Sequence, residues 1–313
     1  MQLGRACSWC KGKIYLFLCN KIRTKKERPI RAHAKKAFLP SPTLSDPAAG
    51  AEEKRSKSGD PRSSPLFVNS VEKAFQILAV FGPSRRQLTL TQIVAQSGMD
   101  MSSVQRFTHT LVTLNLLRKD PRSKSYELSP GILRMAHQYI SSNDLVSRAM
   151  PYLQHLAMET EAAVNLTILD GTDIVYLQRI VSRYVLSPEI IMGTRLPAYC
   201  TSSGLAMLAA LPRHEAEAIL DRSQLIKYTR HTVNDREQIL ARLDTIRDLG
   251  YSHVEDEMYL GDIALGVAIT DSSNKVVGAI NIGIARPQWK GEEDKENMLS
   301  LLIAAGRAIS SRG

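Results

Sequence analysis

The sequence predicts an α+β protein in which an N-terminal winged helix-turn-helix precedes a domain built on a largely antiparallel sheet. Three observations predict it. Two short segments with helical apolar spacing meet head to tail at Ser97-Gly98-Met99-Asp100, a basic hairpin follows them, and from Ala163 onward the apolar period drops from 3.6 to 2. At 313 residues the chain exceeds one small core, so two domains and an appendage are expected.

Charge separates these parts. Residues 1–65 hold 15 Lys and Arg against 5 acids, residues 66–130 hold 8 against 4, and residues 131–313 hold 18 against 22. The first segment alone equals the net +10 of the whole chain, so the local +4 of the second bears on an anionic partner.

Residues 1–65 combine a basic run at 21–36 with a Pro, Ser and Ala-rich stretch at 40–65, and are expected to be a disordered basic extension. The apolar run 14–19 is too short to span a bilayer or form a signal-peptide core, so a cytoplasmic location without membrane insertion is expected. The extension also reads as a transit peptide, as a flexible arm for phosphates, or as an untranslated stretch, since no methionine lies between Met1 and Met99 and a start near Leu66 or Val68 is possible. Four cysteines (Cys7, Cys10, Cys19, Cys200) fit a reducing compartment. Cys7-Ser8-Trp9-Cys10 lacks the second pair of a zinc site and the βαβ setting of a redox pair, so no metal and no cofactor are expected.

The DNA-binding domain is placed at 66–129. Val71, Ala74, Phe75, Leu78 and Phe81 mark a first helix ending before Gly82-Pro83. Leu90, Ile93 and Val94 give the second an apolar face, and Gly98 supplies the positive φ that helix ends favour. A third, capped by Asp100 or Ser102, turns Val104, Phe107, Leu111 and Leu114 inward. Its outer face then carries Ser102, Gln105, Arg106, His109 and Thr113. Arg106 can present two N–H groups to guanine, Gln105 can exchange two hydrogen bonds with adenine, and Ser102 and Ser103 can reach phosphate. Residues 118–128 form the wing, with Arg122 and Lys124 among four cations near its tip.

Ser129-Pro130 opens a linker helix at 130–143 carrying Ile132, Leu133, Met135, Ala136 and Tyr139, and the effector-binding and oligomerisation domain occupies 144–313. It opens on a helix at 145–160 that Pro151 kinks or breaks. Two strands at 163–179 turn at Asp170-Gly171-Thr172-Asp173, a third strand is expected at 184–191, and 193–200 is expected to be an irregular loop. Helices at 201–211, 213–220 and 234–249, strands at 251–256, 264–270 and 275–284, and a helix at 292–309 complete the chain.

The wording of several segments resembles the IclR family of bacterial transcription regulators, across 67–310. The resemblance rests on the first helix, on Ser103-Val104-Gln105-Arg106, on Asp170-Gly171-Thr172-Asp173-Ile174-Val175-Tyr176, and above all on Gly193-Thr194-Arg195-Leu196-Pro197-Ala198-Tyr199-Cys200-Thr201-Ser202-Ser203-Gly204 with Gly250-Tyr251 and Asp256-Glu257. Leu-Pro-Ala-Tyr-Cys-Thr-Ser is most like the branch that regulates aromatic-acid and β-ketoadipate catabolism, although Leu205 stands where many relatives carry a basic residue. The resemblance implies a GAF-like effector domain, assembly as a homodimer or homotetramer, a palindromic double-stranded DNA operator and a small carboxylate effector at positions matching Ser202, Ser203, Ala264 and Asn281, with Asp256 and Glu257 nearby.

Residue chemistry adds to that expectation at Thr201, Ser202, Ser203 and Gly204, where a helix start offers N–H donors beside hydroxyls to an organic acid. Two other readings stand beside the regulator: a small-molecule-binding module without DNA contact, and a serine hydrolase using Ser202 or Ser203 with His253 and Asp256. The chain has no Gly-x-Ser-x-Gly elbow, and alternate residues of one short strand face opposite ways, so the expectation is no catalysis.

Overall fold

The computed structural model describes residues 61–181 and 190–310. The first 60 residues, Cys7, Cys10 and Cys19 among them, lie outside it, as does nearly all of the strand expected at 184–191. A turn at Pro61–Ser63 precedes helix α1 (Asn69–Ala79). Helix α2 (Leu90–Ser97) opens on a reciprocal cap, in which the Thr89 side chain accepts from the Gln92 backbone and Gln92 reaches back, and it ends at Gly98 with φ +68°. Helix α3 (Met101–Thr113) starts at Asp100, whose carboxylate accepts from the Ser103 N–H at 2.8 Å. Strands β1 (Leu117–Lys119) and β2 (Tyr126–Leu128) pair antiparallel, and Leu88 bridges to Tyr126 on the outer side. Ile77, Phe81, Leu88, Ile93, Val104, Leu111, Leu117 and Tyr126 form one core beneath them.

Leu114, assigned inward by its spacing, points out instead, and two residues of the α1 stripe are exposed as well. Val71, Phe75 and Leu114 are 53%, 58% and 56% exposed. Ile77 and Thr108 take inward places, and the Thr108 hydroxyl is satisfied by the Val104 carbonyl at 2.8 Å. The linker begins as a single turn at Pro130–Ile132, capped by Ser129, and continues as α4 (Leu133–Ser141), which buries no residue. Helix α5 (Asp144–Thr160) runs unbroken through Pro151.

The second domain carries a six-stranded antiparallel sheet in the order β5-β4-β3-β8-β7-β6. Its strands are β3 (Ala163–Asp170), β4 (Asp173–Ile180), β5 (Arg195–Pro197), β6 (Ser252–Glu255), β7 (Asp262–Thr270) and β8 (Val276–Ala285). Strand β5 falls within the expected loop, where Arg195 is tied to Asp173 and Asp170 of the neighbouring hairpin. One sheet face packs on α5 and α9 (Glu292–Ser310). The other packs on α6 (Ser202–Ala210), with α7 (Arg213–Arg222) and α8 (Arg236–Leu249) behind it. Helix α6 is buried over Ser202–Ala209, hence its run of small and aliphatic residues. Gly204 is required there, because a Cβ would stand 2.2 Å from the Ala198 carbonyl oxygen.

Candidate DNA-binding face and effector cavity

Burial of Val104, Thr108 and Leu111 turns Ser102, Gln105, Arg106 and His109 of α3 to solvent, with Ser103 half-buried at the cap. Thr113 is exposed too, but its hydroxyl returns to the His109 carbonyl at 3.0 Å. The wing divides its four cations. Arg118 is held by Glu127, and Lys119 lies 5.3 Å over the Tyr126 ring. Arg122 and Lys124 are exposed and form no ion pair among the described residues. The tip owes its shape to Asp120, whose Oδ1 accepts from the Arg122 and Ser123 N–H groups at 2.7 and 2.9 Å; those bonds, Ser123 first, hold its carboxyl below the usual range. Lys124 adopts φ +57° at the turn back.

In the second domain the antiparallel register builds a polar row across a largely apolar sheet. Arg179 of β4 is opposite Asn165 of β3, Asn165 is opposite Asn281 of β8, Asn281 is opposite Gly266 of β7, and Gly266 is opposite Ser252 of β6. The start of α6 covers the Gly266–Ser252 end. A Cβ on Gly266 would stand 2.7 Å from the Ser202 carbonyl carbon, and the Ser252 hydroxyl donates to the Ser202 carbonyl at 2.6 Å.

The other end of the row borders a cavity of about 40 Å³. Its polar lining is Asn165, Arg179, Asn281, Tyr176 and Asp262, and Ala163, Gly283 and Ala285 leave room between them. Asn165 is 3% exposed, and its Oδ1 has no hydrogen-bond partner among the described residues. Burial pushes the Asp262 carboxyl up to about 6, with Arg179 opposing the shift and Asp256 adding to it. Burial likewise pushes the Tyr176 phenol up. A larger groove of about 500 Å³ lies between the end of α8, β7 and α9, but it opens broadly to solvent and its charged lining is confined to Asp271 and Arg307.

The effector residues expected from sequence take different places. Asn281 lines the cavity, and Ser203 stands behind it, donating to its Oδ1 at 3.0 Å. That bond leaves the Asn281 NH₂ as the group available to a ligand. Thr201 makes no side-chain cap and instead donates to the Pro197 carbonyl at 3.0 Å. Ser202 and Gly204 pack the helix start against Gly266 and Ala198. Ala264 is buried on β7, two residues from Asp262. Asp256 closes the loop after β6, its carboxylate receiving the Gly261 N–H and a bond from Arg286 at 2.6 Å. Glu257 pairs with Arg242. Ser203 is thus engaged with Asn281, while the His253 ring lies 6.0 Å from Trp289 and its Nε2 is 3.2 Å from Glu255, so no Ser–His pair forms among the described residues. Cys200 is buried, and burial raises its thiol well out of the nucleophilic range.

Asn165, Tyr176, Arg179 and Asp262 were not singled out from sequence. The available signal was an asparagine at an inward position in each of two apolar strands, at 165 and 281.

Comparison with known proteins decides the family. Residues 137–311 match the bacterial transcriptional regulator IclR C-terminal domain, and residues 70–121 match the IclR helix-turn-helix domain. The chain belongs to the IclR family. As a member it is a DNA-binding transcriptional regulator and not an enzyme. The Pca regulon regulatory protein of Pseudomonas putida is 31% identical over 282 residues, covering 90% of this chain and 94% of that protein. Such a match is longer than 66–313 and therefore reaches into the N-terminal extension. The IclR-family regulator KdgR of Escherichia coli is 29% identical over 79% of this chain and 94% of its own. Among solved structures, a transcriptional regulator from Rhodococcus sp. RHA1 superposes with TM-score 0.70 at 28% identity, covering 78% of this chain and 98% of that one. An IclR homologue from Microbacterium hydrocarbonoxydans, complexed with 4-hydroxybenzoate, shares the fold with TM-score 0.66 at 19% identity, covering 77% and 98%. No helix among the described residues is long and apolar enough to cross a membrane.

Proposed function

We propose that this regulator acts in the cytoplasm and is controlled by a small organic acid, of the aromatic or β-ketoadipate type, bound in the cavity beside Arg179, Asn165 and Asn281. The observation that carries this reading is the buried polar row, with the orphaned Asn165 Oδ1 at its centre: a buried polar group without a partner costs about 1–3 kcal/mol, which a ligand O–H or N–H recovers. The similarity to the Pca regulon regulatory protein supports the choice of acid. Ser203 fixes Asn281, and Thr201, Ser202 and Gly204 seat the helix that holds Ser203, while Ala264 and Asp256 position β7 and the loop before it.

On the DNA side, Ser102, Ser103, Gln105, Arg106 and His109 enter the major groove while Arg122 and Lys124 of the wing grip phosphates. Two copies pair through apolar faces that their own chain leaves uncovered: Val68, Val71 and Phe75 along α1, and Leu133, Met135 and Tyr139 on α4. A two-fold protein then reads a palindromic operator with half-sites about one helical turn apart or a multiple of it. Residues 1–65 serve as a basic arm outside these two domains and are not needed for their folding.

The test is a thermal-melt screen of wild type and Gly283→Leu against benzoate, 4-hydroxybenzoate and adipate. Gly283 is suited to plugging the cavity, because a Cβ there meets nothing closer than the Asp262 carboxylate at 3.9 Å. An acid at a hundredfold excess over Kd stabilises the wild type by about 2.7 kcal/mol and leaves the variant unshifted. Equal stabilisation of both proteins places the effector elsewhere.

A further inference from the structure

The effector reading leaves Asp262 unexplained: a pocket meant for anions has a carboxyl in its wall. The strand register puts that carboxyl on the cavity face deliberately close to the row. Asp262 lies opposite Ala285, two residues along β8 from Gly283 and four from Asn281, and alternate residues of a strand share one face. Every residue between the row and Asp262 on that face is small, Ala163, Gly283 and Ala264, so nothing separates the acid from Arg179 and Asn281 except the cavity itself. At about 40 Å³ the cavity has room for one carboxylate group between these side chains.

Resting on the reading that this cavity holds an organic acid, we propose that it takes the acid as a carboxylate together with one proton: Arg179 and the Asn281 NH₂ donate to the carboxylate, and Asp262 becomes protonated and donates to it as well. The proton comes from solvent onto the Asp262 carboxylate, and no bond of the ligand changes.

Charge balance drives this coupling. Before binding, Arg179 faces an Asp262 carboxyl that burial has already brought to about 6, and a second carboxylate entering the same space repels the first. Taking up a proton turns Asp262 from a repelling group into a donor and leaves one cation against one anion. The other titratable and charged groups facing Asp262 are fixed. From β4 come Arg179 and Tyr176, whose phenol stays neutral because burial raises it. From the loop before β7 come Tyr259, whose carbonyl receives the Asp262 N–H, and Asp256, which the Gly261 N–H and Arg286 keep ionised. Strand β8 contributes Asn281, Gly283 and Ala285, none of them ionisable. A cavity built this way selects for carboxylates over neutral amides and binds them more weakly as pH rises.

Isothermal titration of the full chain with 4-hydroxybenzoate, benzoate and adipate, in two buffers of different ionisation enthalpy at about pH 7.5, counts the protons directly. Close to one proton is taken up per acid bound, and Kd rises about tenfold per pH unit above 6. Asp262→Asn, which retains a donor but cannot ionise, still binds acid, with no proton uptake and a flat pH profile. Acid binding without proton uptake by the wild type overturns this inference and leaves the organic-acid reading intact. A wild type that binds none of the three acids overturns both. If the variant fails to fold, the proton count and pH slope of the wild type decide alone, with zero uptake and a flat slope as the contradicting result.

Discussion

Asp262 also leaves a mark on the stability of the free protein, apart from any ligand. Its folded pKa of about 6 exceeds the ordinary 3.8, so the native state holds a proton that the unfolded chain releases. The stability this contributes is complete below about pH 4 and is lost as pH rises through about 6. Asp262→Asn has no such loss. Its stability relative to the wild type is therefore expected to climb between pH 4 and pH 6 and to stay level above, by about 3 kcal/mol at 1.36 kcal/mol per pKa unit. Thermal or urea melts of both proteins across this range check the point, and a constant difference contradicts it. Gly283, a neighbour on the same wall, is the converse case: a residue whose absent side chain leaves the cavity open. Gly204, by contrast, is glycine because the Ala198 backbone allows nothing larger.

At the scale of elements, α3 and the wing are proposed to carry different parts of DNA binding and are expected to respond differently to substitution. Arg106→Ala is expected to cost about 1–3 kcal/mol on the preferred sequence and to relax discrimination at one base pair. Replacing both Arg122 and Lys124 by alanine lowers affinity on all DNA and flattens the salt slope by about one unit per lost contact. Fluorescence anisotropy on specific and random duplexes at several salt concentrations separates the two; an equal loss on both duplexes for Arg106→Ala would show that it meets phosphate only. Helix α1 makes a further prediction, because Phe75 is 58% exposed on a stripe with Val68 and Val71. Phe75→Glu is expected to shift the protein from dimer to monomer in sedimentation while far-ultraviolet circular dichroism is retained; a variant that remains dimeric places the interface elsewhere.

The same elements show what periodicity could and could not reveal. Helices α2 and α3 were legible because Thr89, Gln92, Gly98 and Asp100 are punctuation with a local mechanism. The apolar spacing of α1 marks a helix but not which of its residues are buried, since a hydrophobic stripe does not distinguish a core from a surface awaiting a partner. Strand β5 was hidden because its three residues are too few to establish an alternation. Asn281 and Ser203 could be reached from family wording, and the hydrogen bond between them confirms that they are neighbours. Arg179, Asn165 and Asp262 could not, because their meeting depends on the register of four strands, information that no single strand contains.

In the whole molecule, the two proposed functions fall on residues that share no partner among the described residues. The candidate DNA-facing side chains lie on α3 and the wing, the cavity is lined mainly by β3, β4, β7 and β8, and substitutions more than about 7–10 Å apart without shared contacts act independently. An effector can change DNA affinity only through a difference in its own affinity for two arrangements of the protein, so plugging the cavity should abolish the response and spare DNA binding. The most direct measurement selects bound duplexes from a random-sequence library with the full chain, then titrates the enriched sequence with wild type and Gly283→Leu, with and without the acid that stabilises the wild type in melts. The expected result is a two-fold symmetric sequence bound by both proteins, with an affinity that the acid changes for the wild type alone. Failure to enrich any sequence at low salt, or a response to acid that persists undiminished in Gly283→Leu, would contradict it.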